Sequence, residues 1–449
     1  MTGMARSALA SWRRRLGLER RVGVLAAGLF VYGFGEELWF RYLPEYLRVL
    51  GASAFAVGLF GTARDLLDAA YAYPGGVLSD RLGTRRSLLL FGSLTTAGFA
   101  VYLFWPTVLG VFLGLLLVMC WQSLGLPATF ALIGEELEGG RRIAGFTVQA
   151  VLKRVPIVIA PPLGGLLLEK LGMRDGMRVG FAVSILLSMA MLFALRRGLR
   201  EEGRREAAPH PAPLPRLPSD LSSEVADAPK PLWRRRAQRA KEEAQRAKEG
   251  GEGVVRDGRG GRTLAPALRQ LLIADCLIRF CEGMPEVFLV IWAIEVVKVS
   301  PSQFGLLTSV LMGTAIVSYV PAAALAERAE KKWFILLTYL FFSLFPLAVL
   351  LSRSFPALMG AFAVGGLREI GEPARKALIV DLSDSQARGR TVGVYYAIRG
   401  FSVAGAAAVG GALWTVSPSL TFLVAAGLGF AGTAWTALFL RVEEERPAS

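Results

Sequence analysis

The chain contains very few of the residues that bind metal ions or form disulfide bonds. Its 449 residues include one histidine and three cysteines. His210 lies in a proline-rich stretch, whereas Cys120, Cys276 and Cys281 lie inside apolar stretches. This pattern offers neither a disulfide framework nor a Cys/His metal site.

Two signatures of catalysis and energy coupling are also missing. A Ser-His-Asp triad needs a histidine as its general base, and the only histidine here is in the proline-rich stretch. The phosphate-binding pattern G-x-x-x-x-G-K-S/T does not occur in the chain, which disfavours ATP coupling. We therefore expect no enzymatic activity, no metal and no cofactor.

What the chain has in abundance is apolar and basic residues. Hydrophobic residues make up 53% of the sequence, and the formal net charge is +15. Most lysines and arginines outside the apolar runs fall in short segments between those runs, which is typical of loops that face anionic lipid on the cytoplasmic side. The composition predicts a membrane protein that does not bind nucleic acid.

The apolar runs are long enough to span a bilayer, which requires about 20 helical residues. Twelve such runs are predicted, at 22–48, 54–79, 86–105, 107–134, 143–169, 178–196, 266–297, 302–326, 333–352, 355–382, 390–415 and 419–441. The segment 7–21 before them is better interpreted as an amphipathic helix on the inner leaflet than as a signal peptide.

The distribution of basic residues predicts the orientation. One set of loops carries most of them, including Arg13, Arg81, Arg141, Lys331 and Arg388. The opposite set has fewer, at Arg48, Lys170, Arg174, Arg178, Lys298 and Arg353. The positive-inside bias therefore predicts that both termini are cytoplasmic.

An internal repeat relates the two halves of the chain. A shift of 246 residues aligns 127–133 (PATFALI) with 373–379 (PARKALI), and it places Gly164 and Gly165 on Gly410 and Gly411. A shift of 247 places Gly58 on Gly305. Matches in the same order predict two pseudo-symmetric bundles of six helices. The predicted segments are an amphipathic terminus (1–21), a first bundle (22–196), a charged linker (197–265), a second bundle (266–441) and a tail (442–449).

The loop between the second and third runs carries a long motif. Residues 76–86 read GVLSDRLGTRR, which resembles the G-x-L-S-D-R-x-G-R-R signature of the major facilitator superfamily. The resemblance implies an all-α membrane protein with twelve spans and a loop that latches the halves on the cytoplasmic side. The residues it assigns to this latch are Gly76, Asp80, Arg81, Gly83, Arg85, Glu135 and Glu136.

A second motif resembles the drug and metabolite antiporters of the same superfamily. Exporters of that group carry G-P-x-x-G-G in the fifth span, and residues 160–165 here read APPLGG. The resemblance favours export over import. Close packing of helices through small residues is the alternative explanation.

Ionisable residues lie well inside several predicted spans. Each costs about 2.5–3.5 kcal/mol in lipid, so these residues must pair or line water. The acids are Glu36, Glu37, Asp65, Asp68, Asp275, Glu282, Glu286, Glu369 and Glu372. The bases are Arg41, Arg64, Lys153, Arg154, Arg279, Arg368, Arg375, Lys376 and Arg399.

Some of these charges are candidates for proton coupling. Glu37 lies one turn before Arg41, and Asp68 one turn after Arg64. A carboxylate that is alternately desolvated and paired can carry a proton. Glu37 and Asp68 are the first candidates, with Glu36 and Glu282 in reserve.

Other charges are candidates for substrate binding. Guanidinium groups suit carboxylate or phosphate, so an anionic or zwitterionic substrate group is expected at the arginines of the tenth and eleventh spans. The predicted set is Arg41, Glu286, Arg368, Glu372, Arg375 and Arg399. Neutralisation of the same arginines within the bundle is the open alternative.

The sequence thus predicts a proton-coupled secondary transporter of a polar, charged or zwitterionic small molecule. It is expected to be a monomer in a bacterial-type inner membrane, with lipid, protons and the substrate as its partners. A flippase for a lipid or amphiphile, or a multidrug efflux pump, is the first alternative. A membrane scaffold or receptor without transport is the second.

Overall fold

The computed structural model describes residues 20–121, 140–198, 265–326, 331–382 and 388–440. These residues belong to one compact unit, are almost entirely helical, and include no β-strand within the described ranges. The predicted linker, the termini and the PATFALI segment lie outside them.

In the first half, six helices are described. They are α1 (Arg20–Glu37), α2 (Leu43–Val49), α3 (Ala54–Leu82), α4 (Thr84–Phe104), α5 (Val108–Met119) and α6 (Gly140–Gly198). A 3-10 turn, Phe40–Tyr42, joins α1 to α2. The first predicted span is therefore built from two helices with a tight turn between them.

In the second half, eight helices of ten or more residues are described. They are α7 (Pro266–Glu286), α8 (Pro301–Ala326), α9 (Lys331–Leu351), α10 (Phe355–Gly366), α11 (Glu372–Asp381), α12 (Arg388–Ala404), α13 (Ala406–Val416) and α14 (Pro418–Phe439). A short helix, Leu289–Ile291, and a π-turn, Trp292–Val296, follow α7.

Several helical segments are long and apolar enough to cross a membrane. By length and composition, the described residues contain five: Arg86–Phe104, Arg154–Arg197, Lys332–Leu351, Thr391–Val416 and Pro418–Phe439. The protein is thus all-helical over the described ranges, with several apolar helices. The count of twelve spans stays a prediction.

Two glycines make the sharp links between consecutive helices. Gly83, between α3 and α4, has φ +76°, and Gly172, inside α6, has φ +78°. A residue with a Cβ rarely adopts such a conformation. The backbone conformation at Gly83 of the GVLSDRLGTRR motif therefore requires a glycine. At Gly172, α6 is divided into two helices.

Within each half, the helices pack around aromatic side chains. In the first half, Trp39 is enclosed by Phe99, Tyr102 and Phe181, and its indole nitrogen donates to Ser184 Oγ at 2.8 Å. In the second half, α14 packs against both α7 and α9. The two halves contact each other through α3 with α12 and α13, and through α6 with α8.

Candidate functional site

Glycines let the backbones of the two halves approach closely. A Cβ added to Gly411 of α13 would lie 3.1 Å from the Cα of Gly58 of α3. At the other contact, a Cβ on Gly165 would lie 2.6 Å from the Cα of Ser302, and one on Gly305 would lie 2.6 Å from the Cα of Pro162. At both contacts a Cβ would have to displace neighbouring backbone atoms, because ordinary contact begins at 3.4 Å.

These two contacts are related by the repeat. The sequence shift places Gly58 on Gly305 and Gly165 on Gly411. In the structure, Gly58 lies against Gly411, whereas Gly305 and Gly165 lie against each other's helices. Each repeat thus contributes one helix to each contact, as a two-fold axis between the halves requires. We call this pair of contacts the glycine crossings.

Hydroxyl groups add hydrogen bonds beside the crossings. Tyr42 Oη lies 2.7 Å from the carbonyl oxygen of Pro161 in its own half and 2.9 Å from that of Pro301 in the other half. The side chain of Ser309 donates to the carbonyl of Val158 across the halves. Pro162 has no N–H and so cannot bond the Val158 carbonyl four residues earlier. The Val158 carbonyl therefore lacks its usual partner within α6, and Ser309 of the other half donates to it.

Besides Arg48 with Glu295, two further ion pairs join the halves among the described residues. Arg64 Nη2 of α3 lies 3.1 Å from Glu286 Oε2 of α7, and it also contacts the neighbouring Asp65 at 3.0 Å. Arg154 Nη2 of α6 lies 3.3 Å from Glu369 Oε2. In both pairs the first half supplies the arginine and the second half supplies the carboxylate. Arg64 is ten residues into α3, on the order of 15 Å from the start of that helix.

A larger set of charges is confined to the second half. Asp275 of α7 is fully buried, and its Oδ2 accepts from Arg375 Nη1 at 2.6 Å and from Tyr395 Oη at 3.0 Å. The other terminal nitrogen of Arg375 donates to both carboxylate oxygens of Glu372 at 2.9 and 2.8 Å. The guanidinium of Arg375 is thus enclosed by two carboxylates, with its side chain only 2% exposed.

Arg279 extends this set along one face of α7. Its Nη1 donates to Glu282 at 2.7 Å, and its Nη2 contacts Glu372. Glu282 also lies 3.4 Å from Arg368 Nη1. We call the connected residues the C-half network, and its members are Asp275, Arg279, Glu282, Arg368, Glu372, Arg375, Lys376 and Arg399.

Aromatic rings hold two arginines of this network. The Arg368 guanidinium lies 5.0 Å from the ring of Phe342 and 4.7 Å from that of Phe345. The Arg399 guanidinium lies 4.7 Å from the ring of Tyr396. Cation–π contacts of this kind position a guanidinium without consuming its hydrogen-bond donors.

The predicted proton-coupling residues fall in different places. Glu37 pairs with Arg41 on the same helical stretch at 3.1 Å, and Glu282 belongs to the C-half network. Glu36 is buried, whereas Asp68 is exposed on α3. The structure therefore does not bring the four carboxylates into one group, and their role in proton coupling stays a prediction.

The predicted substrate-binding residues are divided in the same way. Arg368, Glu372, Arg375 and Arg399 belong to the C-half network. Glu286 faces the first half through Arg64, and Arg41 pairs with Glu37. The assignment of these six residues to a substrate also stays a prediction.

The predicted latch is described only in part. The backbone of Gly76, Asp80 and Arg81 is helical up to Leu82, and Arg85 begins the next helix with Thr84 and Arg86. The side chains of Asp80 and Arg85 lie outside the described part of the structure, as do Glu135 and Glu136 entirely. Arg81 is exposed, and the latch remains a prediction.

Sequence reasoning assigned no role to several residues that the structure brings together. Asp275 lies one turn before Arg279, and this spacing predicts a shared helix face but not the partners of Asp275 on other helices. The sequence places Arg64, Arg154 and Glu369 inside predicted spans, yet their pairing across the halves has no local signal. Tyr42 had none either.

Buried charges and close crossings between two helical halves are features of a multi-pass membrane protein of the secondary-transporter class. The family model described as Major Facilitator Superfamily matches residues 25–254 and 271–449. The chain belongs to the Major Facilitator Superfamily, as the motif at 76–86 indicated.

The relatives known by sequence match over a limited length. An uncharacterised MFS-type transporter of Mycobacterium tuberculosis, strain H37Rv, is 29% identical over 153 residues. That match spans 34% of this chain and 36% of the relative.

Solved structures resemble the fold over nearly the whole chain. The crystal structure of the peptide transporter POT in complex with sulfate covers 94% of each chain with a TM-score of 0.68 and 19% identity. A POT family transporter in complex with 5-aminolevulinic acid covers 94% of this chain and 95% of its own, with a TM-score of 0.66 and 14% identity. At such identities the likeness concerns the fold alone.

Proposed function

We propose that this protein is a proton-coupled secondary transporter that moves a polar, charged or zwitterionic small molecule by alternating access. It has twelve spans in two bundles of six, with both termini in the cytoplasm of a bacterial-type cell. The observation that carries the proposal is the set of three arginine–glutamate contacts that join the halves among the described residues. Ion pairs that form in one state and break in the other suit a transporter whose halves rock against each other.

The glycine crossings support an assignment of the closed end of the bundle. They involve the beginnings of α3 and α8 and lie near the links that carry Arg48, Lys170 and Lys298. By the positive-inside bias these links are outside the cell. The structure then corresponds to a state that is closed toward the outside.

Glu286 is the carboxylate that we place first for proton coupling. Because its partner Arg64 belongs to the other half, a proton on Glu286 removes an attraction that holds the halves together. Glu37 differs, since its partner Arg41 is four residues away on the same stretch. Protonation of Glu37 would break a pair within the first half and would not remove an ion pair between the halves.

The peptides and peptide-like compounds of the solved relatives point to zwitterionic substrates. One POT structure holds 5-aminolevulinic acid, which carries an amine and a carboxylate. Charges of both signs near the contact between the halves in the present chain are compatible with such a molecule. The motif at 160–165 supports export as the direction.

The test uses purified protein in liposomes that contain a pH-sensitive dye. A panel of amino acids, short peptides and cationic drugs is added with and without an imposed pH gradient. We expect at least one compound to cause proton flux, and we expect its transport to stop when an ionophore collapses the gradient. Transport that proceeds at the same rate without the gradient would refute proton coupling.

A further inference from the structure

The C-half network contains more cations than carboxylates. Its five cations are Arg279, Arg368, Arg375, Lys376 and Arg399, and its three carboxylates are Asp275, Glu282 and Glu372. With every group ionised, the network carries two positive charges in excess. A cluster of like charges inside a protein is costly unless counter-charges are present.

The excess is local to this network. Among the other ion pairs of the described residues, Arg41 with Glu37 and Arg154 with Glu369 are balanced. Arg64 contacts two carboxylates and so belongs to a group with excess negative charge. Among these groups of described residues, only the C-half network has more cations than carboxylates, and Glu286, which also interacts with Arg368, is shared with Arg64 of the first half.

The exposed members of the network have donors to spare. Arg375 and Asp275 are enclosed, but Arg399 is 23% exposed and Lys376 is 63% exposed. The ion-pair contact of Arg399, to Asp275 Oδ2 at 3.5 Å, is a long one. Arg279 Nε lies 3.9 Å from the other oxygen of the same carboxylate, so the two guanidinium groups lie on either side of Asp275.

Buried polar atoms at this place are also under-satisfied. Within the described residues, Asp275 Oδ1, Arg279 Nε, Arg375 Nε and Tyr339 Oη have no hydrogen-bond partner. Buried polar groups normally find partners, and each exception calls for a cause. The network also has an excess of positive charge, and its more exposed cations, Arg399 and Lys376, are suited to receive an anion.

We propose that the C-half network binds a substrate group with two negative charges, such as a phosphate monoester or a phosphonate. Arg399 and Lys376, the more exposed cations of the network, contact that group, and Asp275 is a positioning residue that fixes the arginines. The inference rests on the proposed function and narrows its substrate class. Guanidinium forks match phosphate oxygens in geometry, and two negative charges balance the excess, whereas a monocarboxylate leaves one cation uncompensated.

The experiment measures binding to the purified full-length protein in detergent at equal ionic strength. The probes are inorganic phosphate, methylphosphonate, acetate and chloride, followed by thermal shift and by titration calorimetry. We expect phosphate and methylphosphonate to stabilise the protein and acetate to have at most a tenth of their affinity. Equal effects of phosphate and acetate, or no effect of phosphate, would overturn the proposal.

Single substitutions test whether phosphate binds at the C-half network. Arg399→Gln and Lys376→Gln should each weaken phosphate binding about tenfold, the loss expected for one charge-assisted contact. The control is Arg178→Gln, because Arg178 is an exposed residue paired with Asp175 outside the network. If Arg399→Gln and Lys376→Gln bind phosphate as tightly as this control, the site lies elsewhere.

Asp275→Asn distinguishes positioning from simple electrostatics. Removal of a negative charge beside an anion site should strengthen phosphate binding if Asp275 acts only through its charge. If Asp275 holds Arg375, Arg279 and Arg399 in place, the same change should weaken phosphate binding about tenfold despite the gain in positive charge. Stronger binding would refute the positioning role.

Two further measurements separate a soluble ligand from a lipid headgroup, and the failure of this inference from the failure of the proposed function. Phosphatidic acid in nanodiscs should fail to displace phosphate if the ligand is a soluble molecule, and displacement would assign the site to a lipid headgroup. A second measurement follows the distance between the halves as a function of pH, and it tests the proposed transport cycle without depending on phosphate binding. A pH response without phosphate binding refutes only this inference, whereas phosphate binding without a pH response refutes only the proposed function.

Discussion

Gly305 offers the sharpest test of the contact between the halves. In Gly305→Ala, the new Cβ would lie 2.6 Å from the Cα of Pro162, whereas ordinary contact begins at 3.4 Å. Helices α6 and α8 must then separate by about 0.8 Å at this point. Overpacking of this kind costs about 1–3 kcal/mol, and the separation also weakens the Ser309 bond to Val158.

The cost falls on one conformational state only. If the halves part at this end during transport, the alanine is tolerated in the open state and opposed in the closed state. A difference of 1–3 kcal/mol shifts the ratio of the two states roughly 5- to 150-fold. We therefore expect Gly305→Ala to populate the state that is open toward the outside.

Gly313 provides a matched control on the same helix. A Cβ at Gly313 meets nothing within 4 Å, and Gly313→Ala gains the same helix propensity of about 1 kcal/mol as Gly305→Ala. Any difference between the two variants therefore comes from the crossing.

The assay is pulsed electron paramagnetic resonance with spin labels at the exposed residues Leu171 and Val416, after replacement of the three native cysteines by alanine. Gly305→Ala should lengthen the distance between the labels, and Gly313→Ala should not. Identical distance distributions for the two variants would refute the claim that the crossing closes this end.

Three further predictions concern single contacts. Tyr42→Phe removes the hydroxyl between Pro161 and Pro301 and should destabilise the closed state relative to the open state by about 1 kcal/mol, the net value of one hydrogen bond. The distance between the labels should then lengthen, and an unchanged distance distribution would contradict this. Glu369→Gln should reduce transport in liposomes more than Asp175→Asn, because Asp175 pairs with Arg178 within one half at an exposed site and such pairs contribute about 0–1 kcal/mol. Asp80→Asn should leave the folded protein intact by size-exclusion chromatography but reduce its transport rate severely, and a rate equal to that of the wild type would contradict the predicted latch.

The sequence predicted the family and the all-helical class, because hydropathy and the motif at 76–86 act over long stretches. The repeat also predicted which glycines are equivalent, such as Gly58 and Gly305. It could not predict which glycines touch. A shift along the sequence relates equivalent positions, whereas a two-fold axis brings together positions that are not equivalent, here Gly58 and Gly411.

The charged residues were predictable as a set but not as pairs. Spacings of three and four residues indicate that Asp275, Arg279 and Glu282 share a helix face, and this is a local signal. The contacts of Arg64 with Glu286 and of Arg375 with Asp275 join helices that are far apart in sequence. The sequence gives no distance between such helices, so the enclosure of Arg375 by two carboxylates could not be foreseen.

One measurement tests the central claim most directly, namely that protonation of Glu286 releases the two halves. The distance between labels at Leu171 and Val416 is followed from neutral to acidic pH in wild type and in Glu286→Gln, which mimics the protonated carboxyl. We expect the wild-type distance to lengthen as the pH falls, and we expect Glu286→Gln to show the long distance at every pH. A wild-type distance that does not depend on pH, or a Glu286→Gln variant that remains as closed as the wild type at neutral pH, would contradict the account.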